Sequence, residues 1–393
     1  MSQQAIYEYL RAIAPRYLKA TKNGKKELLT QSEEVCRLSR KHLIRRLKSP
    51  EVALPKKRSG APQKYLREQL RPVIRALWIP MQRLSPRRMH AALPEWLPYF
   101  SKEKCPSHLR PLLLEMSVST LGRFLKEIRG SLETKKGIST TCPARFMKNK
   151  VPLFIDTLDK KVDRPGFTQS DTVAHCGMSA AGEFASSLTL TDIYSTWTEN
   201  RASLTKKATL VRALFADIDR NLVFDILAVN VDSGSEFLNW EMINFTRDKK
   251  IAFTRSRPYK KNDNCWVEQK NYTHVRELFG YERITDEHLV RLMNEIYKNY
   301  WNPLQNFFIP TFKLKEKIRI GARIQKKYDD PQTPYQTPYQ RLIDSKHLTD
   351  KQKDNLREMK SKLNPFELEQ SLESNLKTFF TLLKQSKIEA IAA

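Results

Sequence analysis

ILAVNVDSGSEF, residues 226–237, reads as a buried strand that stops at an acid: a continuous apolar run reaches Asp232 and gives way to a Ser/Gly turn. Two more acids stand in comparable places. Asp171 lies in GFTQSDTVAHCG (166–177), where a strand is expected over 172–174 and Asp171 opens it. Glu268 lies in RSRPYKKNDNCWVEQKN (255–271), near the start of a helix expected over 264–279, and 35 residues separate it from Asp232.

Between and around these acids the pattern predicts strands over 183–190 and 192–199, a helix over 204–218, a strand over 224–231 and a short strand over 251–254. Such an order gives a mixed sheet with helices on its faces. Ser235 is expected to cap the helix that follows Asp232.

Three carboxylates brought together in a dry site repel one another, and divalent cations resolve that repulsion. Magnesium wants hard oxygen ligands with positions left open for water and phosphate, and two such ions serve an in-line displacement at phosphorus. The expectation is therefore two Mg²⁺ ions, with Mn²⁺ able to substitute. Asp171 would bridge, with Asp232 on one ion and Glu268 on the other.

Charge is distributed unevenly. The 393 residues carry 70 Lys and Arg against 43 Asp and Glu, a net of +27. Residues 1–150 hold 33 basic and 11 acidic side chains, residues 151–300 hold 20 and 21, and residues 301–393 hold 17 and 11. A basic arm before a near-neutral middle suits a polyanion-binding front end on a separately folded core. Five scattered cysteines without a CxxC pair fit a reducing compartment and exclude a disulfide framework. Neither a signal peptide nor a membrane span is expected.

In the arm, KKELLTQSEEVCRLSRKHLIRRL (25–47) predicts two short helices with a break at 37–39. Ser39 would cap the second, which would lie in a major groove with Arg40, Lys41, Arg45 and Arg46 projecting outward. SPRRMHAALPEW and MSVSTLGRFLKEI predict a second helical pair, with Pro86 in a first turn and Arg123 and Lys126 off the apolar face. Between the pairs, PKKRSGAPQK offers Lys56, Lys57 and Arg58 to phosphates. Arg255, Arg257, Lys260 and Lys261 make a strand-binding loop beside the third acid. Lys270, Asn271, Tyr272 and His274 are further candidate DNA contacts, whereas His175 and Cys176 are expected to pack against the sheet.

The C-terminal part alternates apolar and basic residues over 312–330, the pattern of a small β unit with a basic face. A tandem TPYQ follows, expected as an extended segment, and a helical tail closes the chain.

DTVAHCG, GEFASSLTLTDIYSTWTE, VDSGSEF, FTRSRPYKKND and VEQKNYTHVR, in this order, resemble the bacterial insertion-sequence transposases of the DDE class, which share an RNase H-like core with retroviral integrase. The resemblance implies that Asp171, Asp232 and Glu268 are the catalytic, metal-binding triad of a two-metal polynucleotidyl transferase. Ser233 departs from the Asn usual in DNGSEF, and Cys265 and Trp266 precede Val267 where smaller or more polar residues are common.

The implied fold is multidomain: an all-α helix-turn-helix N-terminal region, an α/β RNase H-like core with a mixed sheet, and a small β-rich basic C-terminal region. Expected boundaries are a first DNA-binding domain at 1–54, a linker at 55–64, a second helical domain at 65–135, a linker at 136–150, the core at 151–300, a β unit and extended segment at 301–345, and a helical tail at 346–393. Partners would be double-stranded DNA, as element ends and as target, and further copies of the chain in a dimer or larger assembly. The setting would be a bacterial cytoplasm, on the nucleoid. Two other readings remain open: a catalytically decayed helix-turn-helix DNA-binding protein, and an RNase H-like nuclease without strand transfer.

Overall fold

The computed structural model describes residues 3–48, 65–129, 151, 162–257, 261–320, 323–328 and 335–392. The chain divides into two compact units, Met1–Leu66 and Arg67–Ala393.

In the first unit, α1 (Gln3–Lys19), α2 (Lys22–Cys36) and α3 (Arg40–Leu47) close on a core that includes Leu10, Tyr17, Leu29, Leu43 and Leu47. α2 starts three residues before the expected Lys25, because Thr21 accepts the free Gly24 N–H. The expected break is present: Arg37 turns left-handed at φ 51° and donates its N–H to Glu33 O at 2.9 Å. Ser39 occupies the N-cap of α3, but its side chain makes no capping hydrogen bond. That role falls to the Ser39 carbonyl, which accepts from the N–H groups of His42 and Leu43.

The second unit opens with α4 (Arg67–Trp78), α5 (Pro86–Trp96), α6 (Leu109–Glu115) and α7 (Val118–Ile128). Pro86 begins α5, where a missing N–H costs nothing. α7 buries Leu121, Phe124 and Leu125 and leaves Arg123 and Lys126 exposed. These helices are tied to the rest of the unit: Trp96 Nε1 donates to Phe308 O at 3.0 Å, and Arg88 Nε to Pro310 O at 2.7 Å.

The sheet has five strands in the order β3-β2-β1-β4-β5: β1 (Phe167–Ala174), β2 (Ser186–Asp192), β3 (Thr198–Ser203), β4 (Ala228–Val231) and β5 (Ala252–Arg255). β1, β2 and β3 are antiparallel neighbours, while β4 runs parallel to both β1 and β5. The mixed sheet and the helical N-terminal region agree with the sequence expectation. A strand across 192–199 does not form. Buried Asp192 accepts from the N–H and hydroxyl of Ser195 and from Gly166 N, which folds 192–197 into a turn.

Side chains alternate across the strands, so the sheet has two unlike faces. One is apolar: Leu188, Leu190, Val229 and Val231 pack against Val211 and Phe215 of the helix Ala208–Asn221 and Met242 of the helix Trp240–Asp248. The other carries Gln169, Asp171, Thr189, Asn200 and Asn230, a polar face kept under cover by a bent helical segment over 265–279. The second of these helices is capped by Asn239, which accepts from Met242 N at 3.0 Å, and not by Ser235, which lies in the preceding turn.

Beyond the sheet, Leu314–Ile320 and Arg323–Tyr328 pair as an antiparallel hairpin. The second TPYQ is not extended: Thr337 and Gln340 form a reciprocal capping box, with Pro338 in the first turn, and start the helix Pro338–Asp344. The tail is two helices, Asp350–Ser361 and Pro365–Ala392. Among the described residues no helix is long and apolar enough to cross a membrane. The expected linkers at 55–64 and 136–150 lie outside the described residues.

Candidate active site

Asp171 is the fifth residue of β1, inside the strand and not at its opening. The parallel ladder between β1 and β4 ends at the pair Ser170 and Val231, so the next residue on each strand is an aspartate, Asp171 and Asp232. Their carboxylates repel. Burial and then Asp232 push the Asp171 carboxyl up to about 8, and burial and then Glu236 push Asp232 up to about 6.

Glu236 is a third acid that the sequence reading did not single out. It is buried, accepts from Thr172 Oγ1 at 2.9 Å and pairs with Lys206 at 3.3 Å. The turn between the two acids depends on Gly234, whose N–H donates to Asp232 Oδ1 at 2.9 Å. A Cβ at Gly234 would lie 2.9 Å from that same oxygen and collide with the Glu236 carboxylate. Ser233, in place of the expected Asn, donates to Ser256 O at 3.3 Å.

The segment bearing Glu268 begins with the α-helix Cys265–Lys270, continues as the π-helix Asn271–Arg276 and ends with the α-turn Glu277–Phe279. Its first-turn N–H groups lack intrahelical acceptors, and Gln169 supplies one: its Oε1 accepts from Trp266 N at 3.1 Å and Val267 N at 3.4 Å. Gln169 also donates to Asp263 O at 2.8 Å. It lies two residues before Asp171, hence on the same sheet face, and that spacing was the sequence signal for it.

Asn271, where the π-helix starts, donates its Nδ2 hydrogen to Asp171 Oδ2 at 2.6 Å. Glu268 is exposed and sits one turn earlier on the same helical face, where such pairs have Cβ atoms about 5–6 Å apart. Among the described residues no three His, Cys, Asp or Glu side chains are gathered to hold a metal ion. The structure thus brings Asp171 and Asp232 together and places Glu268 one helical turn before Asn271, which bonds Asp171, without closing a three-acid group.

The donor set nonetheless fits a divalent cation. Two like-charged carboxylates face each other, and the buried Asn271 Oδ1 beside them has no hydrogen-bond partner among the described residues. All three offer hard oxygens.

The basic residues singled out in the sequence divide into two kinds. Lys41 and Arg45 of α3 are exposed. Arg40 instead pairs with Glu33 at 2.8 Å, and Arg46 covers the Tyr7 ring at 4.4 Å. In the loop before Glu268, Arg255 Nε donates to Val151 O at 2.9 Å. Arg257 grips buried Asp263 with a bidentate pair at 2.8 Å, and Lys261 begins the 3₁₀ turn Lys261–Asn264.

Lys270 lines a cavity, where burial, then Arg88 and Arg341, push its ammonium down to about 7. His274 is buried against Asn200, not displayed to a partner. His175 and Cys176 are buried as expected, His175 meeting Ser187 Oγ at 2.8 Å. Lys56, Lys57, Arg58 and Lys260 lie outside the described residues.

No family model matches the chain. A protein of Sinorhizobium fredii (strain NBRC 101917 / NGR234), described as "Uncharacterized protein y4rM", is 34% identical over 336 residues, covering 83% of this chain and 93% of the relative. Among solved structures, the HTLV-2 integrase catalytic core domain in complex with magnesium (dimeric form) aligns with 37% of this chain and 90% of its own, at 16% identity and a TM-score of 0.28. The catalytic core domain of BIV integrase aligns with 30% of this chain and 70% of its own, at 16% identity and a TM-score of 0.25.

Proposed function

Because the chain belongs to the same family as the uncharacterized protein y4rM of Sinorhizobium fredii, whose name carries no activity, we propose a function from the site itself: a DNA transposase that cuts at the ends of its element and joins them to target DNA. The observation that carries this reading is the pair Asp171, in β1, and Asp232, just past the end of the parallel neighbour β4, with the Glu268 helix hydrogen-bonded to Asp171. The net charge of +27, concentrated in the first 150 residues, supports a DNA substrate.

In the first step the oxygen of water forms a bond to a phosphorus at the element end and the P–O3′ bond breaks, freeing a 3′-hydroxyl. In the second, that hydroxyl attacks a phosphorus of the target and displaces another 3′-oxygen. Both are in-line displacements, so one site serves both. Asp171, Asp232 and Glu268 would hold Mg²⁺ or Mn²⁺, two ions by the resemblance, which when bound supply positive charge at the phosphoryl oxygens and at the entering and leaving oxygens.

The chain's own residues set the geometry. Gln169 anchors the helix that presents Glu268, Asn271 fixes the rotamer of Asp171, and Gly234 lets the Asp232 turn pass close to Glu236. Exposed Lys41 and Arg45 would meet phosphates of the element end. Pairing of two ends calls for at least a dimer on DNA.

The test is a strand-transfer assay with full-length protein, Mg²⁺ or Mn²⁺, and labelled DNA carrying the terminal repeats that flank its gene. Joined products that vanish with Asp232→Asn support the proposal. End binding without cutting would make the chain a decayed DNA-binding relative, and cutting without joining would make it a nuclease.

A further inference from the structure

The helix that carries Glu268 and bonds Asp171 through Asn271 turns its opposite face, through Trp266, Gln269, Lys270 and Thr273, to a solvent-open cavity of about 440 Å³. Its other walls come from α5, from the helical stretch ending at Phe308 and from the segment that follows it. Arg88, Lys270 and Lys313 all line this space, against one carboxylate, Glu277. Arg88 spends its Nε on Pro310 O. Lys270 has no carboxylate partner among the described residues; it meets His274 Nε2 at 3.5 Å.

The unmet groups of this wall are donors. Trp301 is 3% exposed, lines the cavity, and its indole Nε1 finds no acceptor among the described residues. A buried N–H without a partner and a half-buried ammonium without a carboxylate partner, lining one cavity, call for a ligand rich in acceptor oxygens and negatively charged. Trp266 and Phe312 add aromatic surface to the same walls. Phosphate oxygens satisfy the donors, and aromatic rings accept any base by stacking.

Size and place narrow the ligand further. A cavity of this volume is roughly 8 Å across, too small for a duplex whose major groove alone is about 12 Å wide, but within the range of small-ligand sites. It lies across one helix from Asp171, and a helix with its side chains is about 10–12 Å thick. We propose that the cavity receives the phosphate-bearing terminal nucleotide of a single DNA strand, the phosphate against Arg88 and Lys270 and the base against Trp266 and Phe312. In its role the inference rests on the transposase reading, since it assigns this nucleotide to a strand whose reacting phosphate lies further along, at the acids.

Binding can be measured without catalysis. Full-length protein free of metal is titrated by calorimetry with a 5′-phosphorylated thymidine dinucleotide, with the same dinucleotide lacking that phosphate, and with inorganic phosphate. The phosphorylated dinucleotide should bind one per chain and at least tenfold tighter than either of the others. It should also slow alkylation of Cys265, an exposed cysteine on the cavity wall, read at that peptide by mass spectrometry.

Lys270→Met should weaken the dinucleotide at least tenfold and melt no lower than the parent. If that variant is unstable, Phe312→Ala, at a side chain 39% exposed, carries the same test. Lys377→Met, on the surface of the last helix, should bind unchanged. Inorganic phosphate binding as tightly as the dinucleotide, or no protection of Cys265, or no loss in both cavity variants overturns the proposal. Dinucleotide binding with no strand transfer would leave the cavity assignment standing and remove the transposase reading.

Discussion

Asn271 and Asp171 are 100 residues apart in sequence and joined by a 2.6 Å hydrogen bond, the contact that fixes the Glu268 helix over the carboxylates of β1 and β4. With Gln169 capping the same helix from two residues before Asp171, the acid site and the helix are held by one strand. The predictions below follow from that attachment and from the charge it brings together.

Replacing Gln169 with Ala should leave the N–H groups of Trp266 and Val267 without an acceptor in a buried place. The cost should be about 1–3 kcal/mol in a urea melt. Metal-dependent cleavage should fall further than end binding, because the helix carrying Glu268 loses its anchor while Lys41 and Arg45 stay in place. Equal loss of both would show that Gln169 serves only the stability of the unit.

Asp232→Asn should abolish cleavage and yet raise the melting temperature of the metal-free protein by a few degrees, since it removes one of two repelling carboxylates. Gly234→Ala should do the reverse to stability, because the added Cβ meets the Asp232 and Glu236 carboxylates. Differential scanning calorimetry without metal checks both; a lower melting point for Asp232→Asn contradicts the repulsion.

The same pair sets a pH dependence. Asp171 and Asp232 have folded-state values of about 8 and about 6, above the 3.8 of the free side chain, so the folded protein holds extra protons. Their cost to stability is absent below about pH 4, grows as pH rises through about 6 and about 8, and is complete above that. Metal-free protein should therefore unfold at lower urea at pH 8.5 than at pH 5, and Mg²⁺ should restore the difference while releasing protons. A double Asp171→Asn, Asp232→Asn variant should flatten this profile; an unchanged profile would place the titrating groups elsewhere.

In the first unit, Lys41 and Arg45 should each account for about one unit of the slope of log affinity against log salt for DNA. Arg40→Ala should instead lower the stability of the three-helix unit through the lost pair with Glu33, an effect of about 1 kcal/mol or less for a partly exposed bridge. Filter binding across a salt series, with thermal melts alongside, separates the two kinds of arginine.

Much of this arrangement was legible in the sequence. The apolar run before Asp232 marked a strand ending at an acid, and the order of patterns gave the mixed sheet. The interior position of Asp171 was hidden because Thr168, Gln169 and Ser170, polar residues on both faces of the strand, are all buried, so no apolar alternation marks it. The stretch after Asp192 looked like strand because a turn made by hydrogen bonds to a buried carboxylate leaves no Gly or Pro behind. Arg257 and Arg40 looked available because charge composition does not show that Asp263 and Glu33 already hold them. The cavity behind Lys270 is formed by residues spread from Gln82 to Lys313, a juxtaposition that no local pattern encodes.

The central claim is that Asp171, Asp232 and Glu268 converge on metal, and the most direct measurement is anomalous diffraction from crystals of the protein soaked in Mn²⁺. The account predicts a manganese peak bounded by Asp171 and Asp232, with the Glu268 carboxylate turned toward it and the peak lost in Asp232→Asn. Manganese bound elsewhere with this pair left bare, or a peak that persists in that variant, would contradict it.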